Sequence, residues 1–183
     1  MELFNRICQV EVPEDGTIFD QATLKVEQVR EADKYQGVQL SVRGELARAV
    51  IPVQVDIGFG DHVYPRPRRQ IFPSLLPDLP AANVLMYAPE TVVAEKFEAM
   101  IRFGLTNGRI KDFYDMWVTL RTFPFDLPGL VEAIAGTLRR RETAIPTEMP
   151  VGLTDDFAKI AEESGLWTGF LRRNPPNIKP PSF

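Results

Sequence analysis

Three places in this 183-residue chain combine residue types and spacing that could do chemistry. The first is Asp56, in the stretch "VIPVQVDIGFGD" at residues 50–61. In a strand with period two, Ile51, Val53, Val55 and Ile57 share one face while Gln54 and Asp56 share the other. Asp56 is therefore displayed on a polar sheet face, either as a solvent-facing acid or as a metal ligand or general base. The second is Lys96. Its helical neighbours at three and four residues are Val92, Val93, Ala99 and Met100, none of them a carboxylate, so any anion for it comes from elsewhere. The alternative is an ammonium that snorkels to water. Glu98, by contrast, has Arg102 four residues on and reads as an ordinary surface pair. The third is Asp112 with Asp115, three residues apart and opposite the stripe of Ile110, Phe113, Tyr114 and Trp117. Arg109 and Lys111 compensate part of their repulsion. They form either a solvated face or the wall of a cleft facing the strand of Asp56.

Other chemistries are excluded by composition. The single Cys8 allows no internal disulfide and, with His62 as the one histidine, no Cys/His zinc cage. A bound metal would need carboxylates, hence a hard ion such as magnesium. His62, next to Asp61, reads as a surface residue. There is no nucleophile elbow and no phosphate-cradling glycine loop. The net charge of -4 argues against bulk nucleic-acid binding, yet Arg66/Arg68/Arg69, Arg139/Arg140/Arg141 and Arg172/Arg173 leave room for a local phosphate-binding face. No apolar run reaches the roughly 18 residues of a membrane span, and the opening residues lack the order of a signal peptide. The expected location is the cytoplasm, with no membrane partner.

The elements that must position these residues are legible from periodicity. Residues 1–9 read as the end of a helix and Pro13-Glu14-Asp15-Gly16 as a turn. Strands are expected at Leu24 to Arg30, around Val38, Leu40 and Val42, and through Asp56. Links this short imply an antiparallel meander. His62 to Pro80, with five prolines and three arginines, reads as an ordered loop or linker. After a short strand at Val84 to Tyr87, Pro89-Glu90 opens a helix, with Gly104 and Asn107-Gly108 as breaks. Further helices are expected from Ile110, over Leu127 to Arg140, and as one or two between Thr154 and Phe170. The Pro-rich end, "RRNPPNIKPPSF", reads as extended.

Taken together, "VQVDIGFGD", "YAPETVVAEKFEAM" and "NGRIKDFYDMW", in this order and spacing, resemble the AbiEii/AbiGii family of nucleotidyltransferase-like toxins. "TLRRRETAIP" and the "GLTDDFAKI" region extend the resemblance to nearly the whole chain. It implies an α+β fold, a nucleotidyltransferase-like small antiparallel sheet followed by a C-terminal helical bundle. Its expected divisions are 1–88 for the sheet region, 89–172 for the bundle and 173–183 for the tail. It also implies magnesium-dependent transfer of a nucleotide from a nucleoside triphosphate to an RNA acceptor such as tRNA, and an antitoxin protein as partner. In this resemblance Asp56, Lys96 and Asp112 are catalytic, Glu95, Lys96 and Asp115 bind nucleotide, and Asp56 is the metal ligand. Phosphoryl chemistry needs positioning and charge neutralisation, which a lysine and carboxylates supply.

The family's first motif, a Gly-Ser or Gly-Gly turn followed by an acidic pair such as Asp-x-Asp, has no counterpart in this sequence. Nor does the chain carry lysine two residues before Asp56, where Gln54 stands. The expectation is therefore a partial nucleotidyltransferase-like domain that begins inside the fold and shows little transfer alone. A catalytically inactive nucleotide-binding or protein-interaction module is the alternative. An uncovered sheet edge would favour a homodimer.

Overall fold

The computed structural model describes residues 2–10, 16–30, 36–175, 178 and 180, with only the backbone of Val29, Arg30 and Gln36. The turn expected at 13–15 and most of the Pro-rich end lie outside them. Two compact units form, Met1–Asp61 with Ser74–Pro80, and His62–Pro73 with Ala81–Phe183.

The first unit holds helix α1 (Glu2–Cys8) and strands β1 (Thr17–Arg30), β2 (Gln36–Leu46) and β3 (Ala49–Gly58). The strands form an antiparallel meander in the order β1-β2-β3. This is the arrangement that their short links require. Alternation in β2 sends Leu40 and Val42 into a small core with Leu24, against which Phe4 and Cys8 of α1 and Val26 and Val53 pack. The irregular β1 pattern has a local cause. Register shifts between Asp20 and Lys25, where Thr23 Oγ1 donates to the Asp20 carbonyl and Asp20 Oδ1 accepts from the Ala22 amide. Short polar side chains here satisfy backbone groups that the ladder leaves out.

The second unit starts with a ribbon, β4 (Arg68–Phe72) paired antiparallel with β5 (Ala82–Met86). β4 corrects the expectation of an irregular 62–80 linker. Its five residues contain no proline and need hydrogen bonds on one side only, which a two-stranded ribbon supplies. Then come α2 (Pro89–Phe103), α3 (Ile110–Thr122), α4 (Leu127–Arg140), α5 (Asp155–Glu163) and α6 (Leu166–Arg173). Pro89 sits in the first turn of α2, where its missing N–H costs nothing. Gly104, at φ 49°, ends α2, and Asp126 and Thr154 cap α4 and α5 through the amides of Gly129 and Phe157. Of the stripe expected on α3, Ile110 is buried and Phe113, Tyr114 and Trp117 are partly buried. Ile110 joins Phe157, Ala161, Trp167 and Phe170 in the core, and Phe113 stacks on Phe157 with ring centroids 5.1 Å apart.

Two polar seams lock this unit. Thr91, fully buried in the first turn of α2, donates from Oγ1 to the Tyr64 carbonyl at 2.8 Å and accepts from the Tyr64 amide at 3.1 Å. It ties the residues before β4 to α2. His62 is not the surface residue expected from its neighbours. Its ring lies against α4 at Gly136, and its Nε2 is buried without a hydrogen-bond partner among the described residues. A Cβ at Gly136 would come within 2.0 Å of that nitrogen, so glycine is what lets the ring in. Gly136→Ala is expected to lower stability by about 1–3 kcal/mol through overpacking. His62→Ala in the same chain should return most of it. Thermal unfolding of the two single variants and the double variant checks this, and a Gly136→Ala protein as stable as the parent would refute it.

Candidate functional site

α2 and α3 meet through charge. Lys96 Nζ donates to Asp112 Oδ1 at 2.7 Å and to Asp115 Oδ2 at 2.8 Å. Arg109 Nε binds the other oxygen of Asp112 at 2.6 Å, and Lys111 Nζ pairs with Asp115. Three cations thus share two carboxylates, leaving the cluster one positive charge in excess.

The local sequence explains the arrangement. Asn107, itself buried, accepts the Arg109 amide on Oδ1 at 2.9 Å, turning the chain into α3. That turn leaves Arg109 three residues before Asp112 and Lys111 four before Asp115, both helical ion-pair spacings. Asp112 also lies in the first turn of α3, where the helix dipole favours an acid. Lys96, with no acid three or four residues away on its own helix, closes the cluster from α2. Burial works against charge on Lys96, but the bonds from Asp112 and Asp115 outweigh it and hold the ammonium above its ordinary pKa. Burial likewise pushes the Asp115 carboxyl up. The ammonium groups of Lys111 and Lys96 overcome this and hold it below its ordinary value.

Two expectations are corrected here. The face bearing Asp112 and Asp115 is not simply solvated, since Asp112 is only 7% exposed and packs toward Lys96. Lys96 does not snorkel into water, because both carboxylates of α3 hold it. Glu98 is corrected too. It is 1% exposed, and besides Arg102 at 3.2 Å it accepts the Thr143 hydroxyl at 2.7 Å, so it is an interior carboxylate. Thr143, beyond the end of α4, carried no periodic signal in the sequence.

Of the residues singled out from the sequence, Lys96, Asp112 and Asp115 are brought together. Glu95 is half-buried on α2 beside them in sequence. Asp56 belongs to the sheet unit, exposed on the polar face as its register demands. Its carboxylate accepts amide N–H groups from Gln39 at 2.8 Å and Gln54 at 3.2 Å. Arg109 is the site residue that the sequence underweighted; its three-residue spacing to Asp112 was the available signal. Among the described residues no group of three or more His, Cys, Asp or Glu side chains is placed to hold a metal ion. No described helix is long and apolar enough to cross a membrane.

Fold and site together define an α+β protein whose helical bundle carries a partly buried cluster of three cations and two carboxylates. A family model described as "Nucleotidyl transferase AbiEii toxin, Type IV TA system" matches residues 2–183. The chain belongs to that family, so it is a member of a nucleotidyltransferase toxin family of toxin–antitoxin systems. Neither the curated proteins nor the solved structures gave a match.

The two shifted groups fix the pH window of the cluster. Asp115, lowered from an ordinary 3.8, contributes stability that is present above that value and lost as pH falls through its folded pKa. Lys96, raised from 10.5, contributes stability that is present below that value and lost as pH rises through its folded pKa. Asp115→Asn is expected to cost about 1–3 kcal/mol at pH 7. That deficit should shrink towards pH 3. Urea unfolding of both proteins at the two pH values tests it, and a deficit independent of pH would refute it.

Proposed function

We propose that the Lys96 cluster is the nucleotide-handling part of the family reaction. In that reaction an RNA hydroxyl, on tRNA in the form favoured here, attacks the α-phosphorus of a nucleoside triphosphate. The new phosphodiester forms as pyrophosphate leaves. The observation that carries the reading is the charge excess at Lys96, Arg109 and Lys111 over Asp112 and Asp115. Asp112 and Asp115 hold the Lys96 ammonium protonated and fixed, so that it meets phosphate oxygens without first being ordered. Arg109 and Lys111 share the neutralisation of the two carboxylates, which leaves positive charge at Lys96 for the triphosphate. Glu95 is assigned to nucleotide binding, and Asp56, on the sheet unit, is proposed as a catalytic acid.

Magnesium is proposed as the ion accompanying the triphosphate, with Asp56 as its ligand. The described residues do not by themselves form a site that fits it, because Asp56 is bound by two amides and Asp112 and Asp115 by cations. No step is assigned to it. The same feature, with the absence of Gly-Gly, Gly-Ser and Asp-x-Asp from the sequence, favours a second reading, a module that binds nucleotide or protein without transferring.

An antitoxin protein is the proposed partner of the toxin, in the cytoplasm. A homodimer is proposed through β3, an edge strand of its sheet, on which Val50, Ile51 and Val55 are exposed.

Two measurements separate these readings. Calorimetry should show nucleoside triphosphate binding that Lys96→Ala weakens at least tenfold. Incubation with labelled nucleotides, magnesium and total tRNA should give little incorporation by this chain alone. Strong incorporation abolished by Asp56→Ala would overturn the second expectation, and triphosphate binding untouched by Lys96→Ala would overturn the first.

A further inference from the structure

The helical unit contains a cavity of about 250 Å3 away from the Lys96 cluster in sequence and lining. It is walled by the β4–β5 ribbon, the first turn of α2 and the residues that follow α3. Phe123, Met86 and Pro65 make its apolar walls, while Arg68, Gln70 and Glu90 contribute the polar groups. The ribbon explains part of this convergence. Arg68 and Gln70 are two residues apart in β4, and Met86 is the cross-strand partner of Arg68, so all three share one face. Pro65 is held in place by the paired hydrogen bonds between Tyr64 and buried Thr91. Among the described residues, Arg68, Gln70 and Glu90 have no side-chain hydrogen bond or ion pair. Arg68 and Gln70 are exposed and Glu90 is half-buried, so their polar groups are accessible to a ligand.

The mixture of groups selects the ligand chemistry. A phosphate would meet the Glu90 carboxylate and gain nothing from Phe123. An aliphatic ligand would leave three polar groups unpaired. A flat heteroaromatic ring satisfies both sets, with its face on Phe123 and Met86, its ring nitrogens and carbonyls towards Arg68 and Gln70, and an N–H towards Glu90. The volume lies below the roughly 300 Å3 at which drug-sized pockets begin, which suits one base rather than two.

We propose that this cavity takes one unpaired nucleobase, supplied either by the incoming nucleotide or by an unstacked position of the RNA acceptor. Aromatic stacking with edge hydrogen bonds is how unpaired bases are held. The proposal rests on the transferase reading for its choice of sources, but its residues are separate from those of the Lys96 cluster.

The test uses the full chain with two probes, a nucleoside triphosphate and a single-stranded RNA tetramer, plus an abasic tetramer of equal charge. Phe123 is 48% exposed, so Phe123→Ala should fold, which circular dichroism verifies. Phe123→Ala should weaken at least one base-containing probe about tenfold or more. Phe123→Tyr should restore binding; where the intact tetramer depends on Phe123, the abasic tetramer should bind more weakly than it and be indifferent to both changes. Loss confined to the triphosphate assigns the pocket to the incoming nucleotide; loss confined to the tetramer assigns it to the acceptor. Equal binding of intact and abasic tetramers together with triphosphate binding unaffected by Phe123→Ala overturns the proposal, as does failure of the wild type to bind either probe. Lys96→Ala keeps the two ideas apart. Triphosphate binding lost in Lys96→Ala but no effect of Phe123→Ala on either probe sinks the pocket alone. Triphosphate binding that ignores Lys96 while either probe needs Phe123 sinks the cluster reading and leaves the pocket standing.

Discussion

The helical unit depends on one ammonium group placed between two carboxylates of the neighbouring helix. Lys96 has no partner on α2, so its charge could enter a half-buried position only because α3 supplies Asp112 and Asp115 within 2.8 Å. The two acids could in turn share that position only because Arg109 and Lys111 approach them from their own helix. Removing any one member leaves a desolvated charge for the others to neutralise, which couples the α2–α3 contact to the chemistry of the cluster. The same mutual neutralisation favours the charged forms of Lys96 and Asp115.

That coupling explains what the sequence could and could not show. Periodicity marked the apolar stripe of α3, the span of α4 and the alternation of β2, because each reflects burial on one face of one element. The absence of an acid near Lys96 was legible too, since helical spacing is local. What supplied the anion was not, because no local pattern says which helix lies opposite. Asp112 therefore read as solvated although it is buried. Glu98 was misread for the same reason: Arg102 at four residues made a surface pair plausible, whereas Thr143, 45 residues away, revealed an interior one. β4 was hidden by composition, its short proline-free window being flanked by prolines on both sides.

The sheet unit shows a milder version of this limit. Asp56 read correctly as an acid on the polar face, and the register places Gln39 directly across from it. A carboxylate that accepts two neutral amides is held in orientation without being neutralised. Its exposed position and its neutral partners distinguish it from Asp112 and Asp115. The acids thus fall into two kinds, one set compensated inside the bundle and one left uncompensated on a sheet.

α2 carries a buried carboxylate of its own, Glu98, and its place on the helix has a mechanical consequence. Residues two apart on a helix project about 200° from each other, so Lys96 and Glu98 face nearly opposite sides. Lys96 binds α3, while Glu98 binds Thr143, which follows the turn that ends α4. That turn is itself constrained, with Glu142 at φ 54° and the Thr143 amide donating to the Leu138 carbonyl at 2.9 Å. A helix gripped by charge-assisted hydrogen bonds on both flanks resists rotation about its own axis as well as translation. For a lysine that must present its ammonium at a fixed point, rotation is the damaging motion, because the long side chain converts a small turn of the helix into a large displacement of its tip. Glu98 and Thr143 therefore act on the site without touching it, by denying α2 the movement that would carry Lys96 away from Asp112 and Asp115.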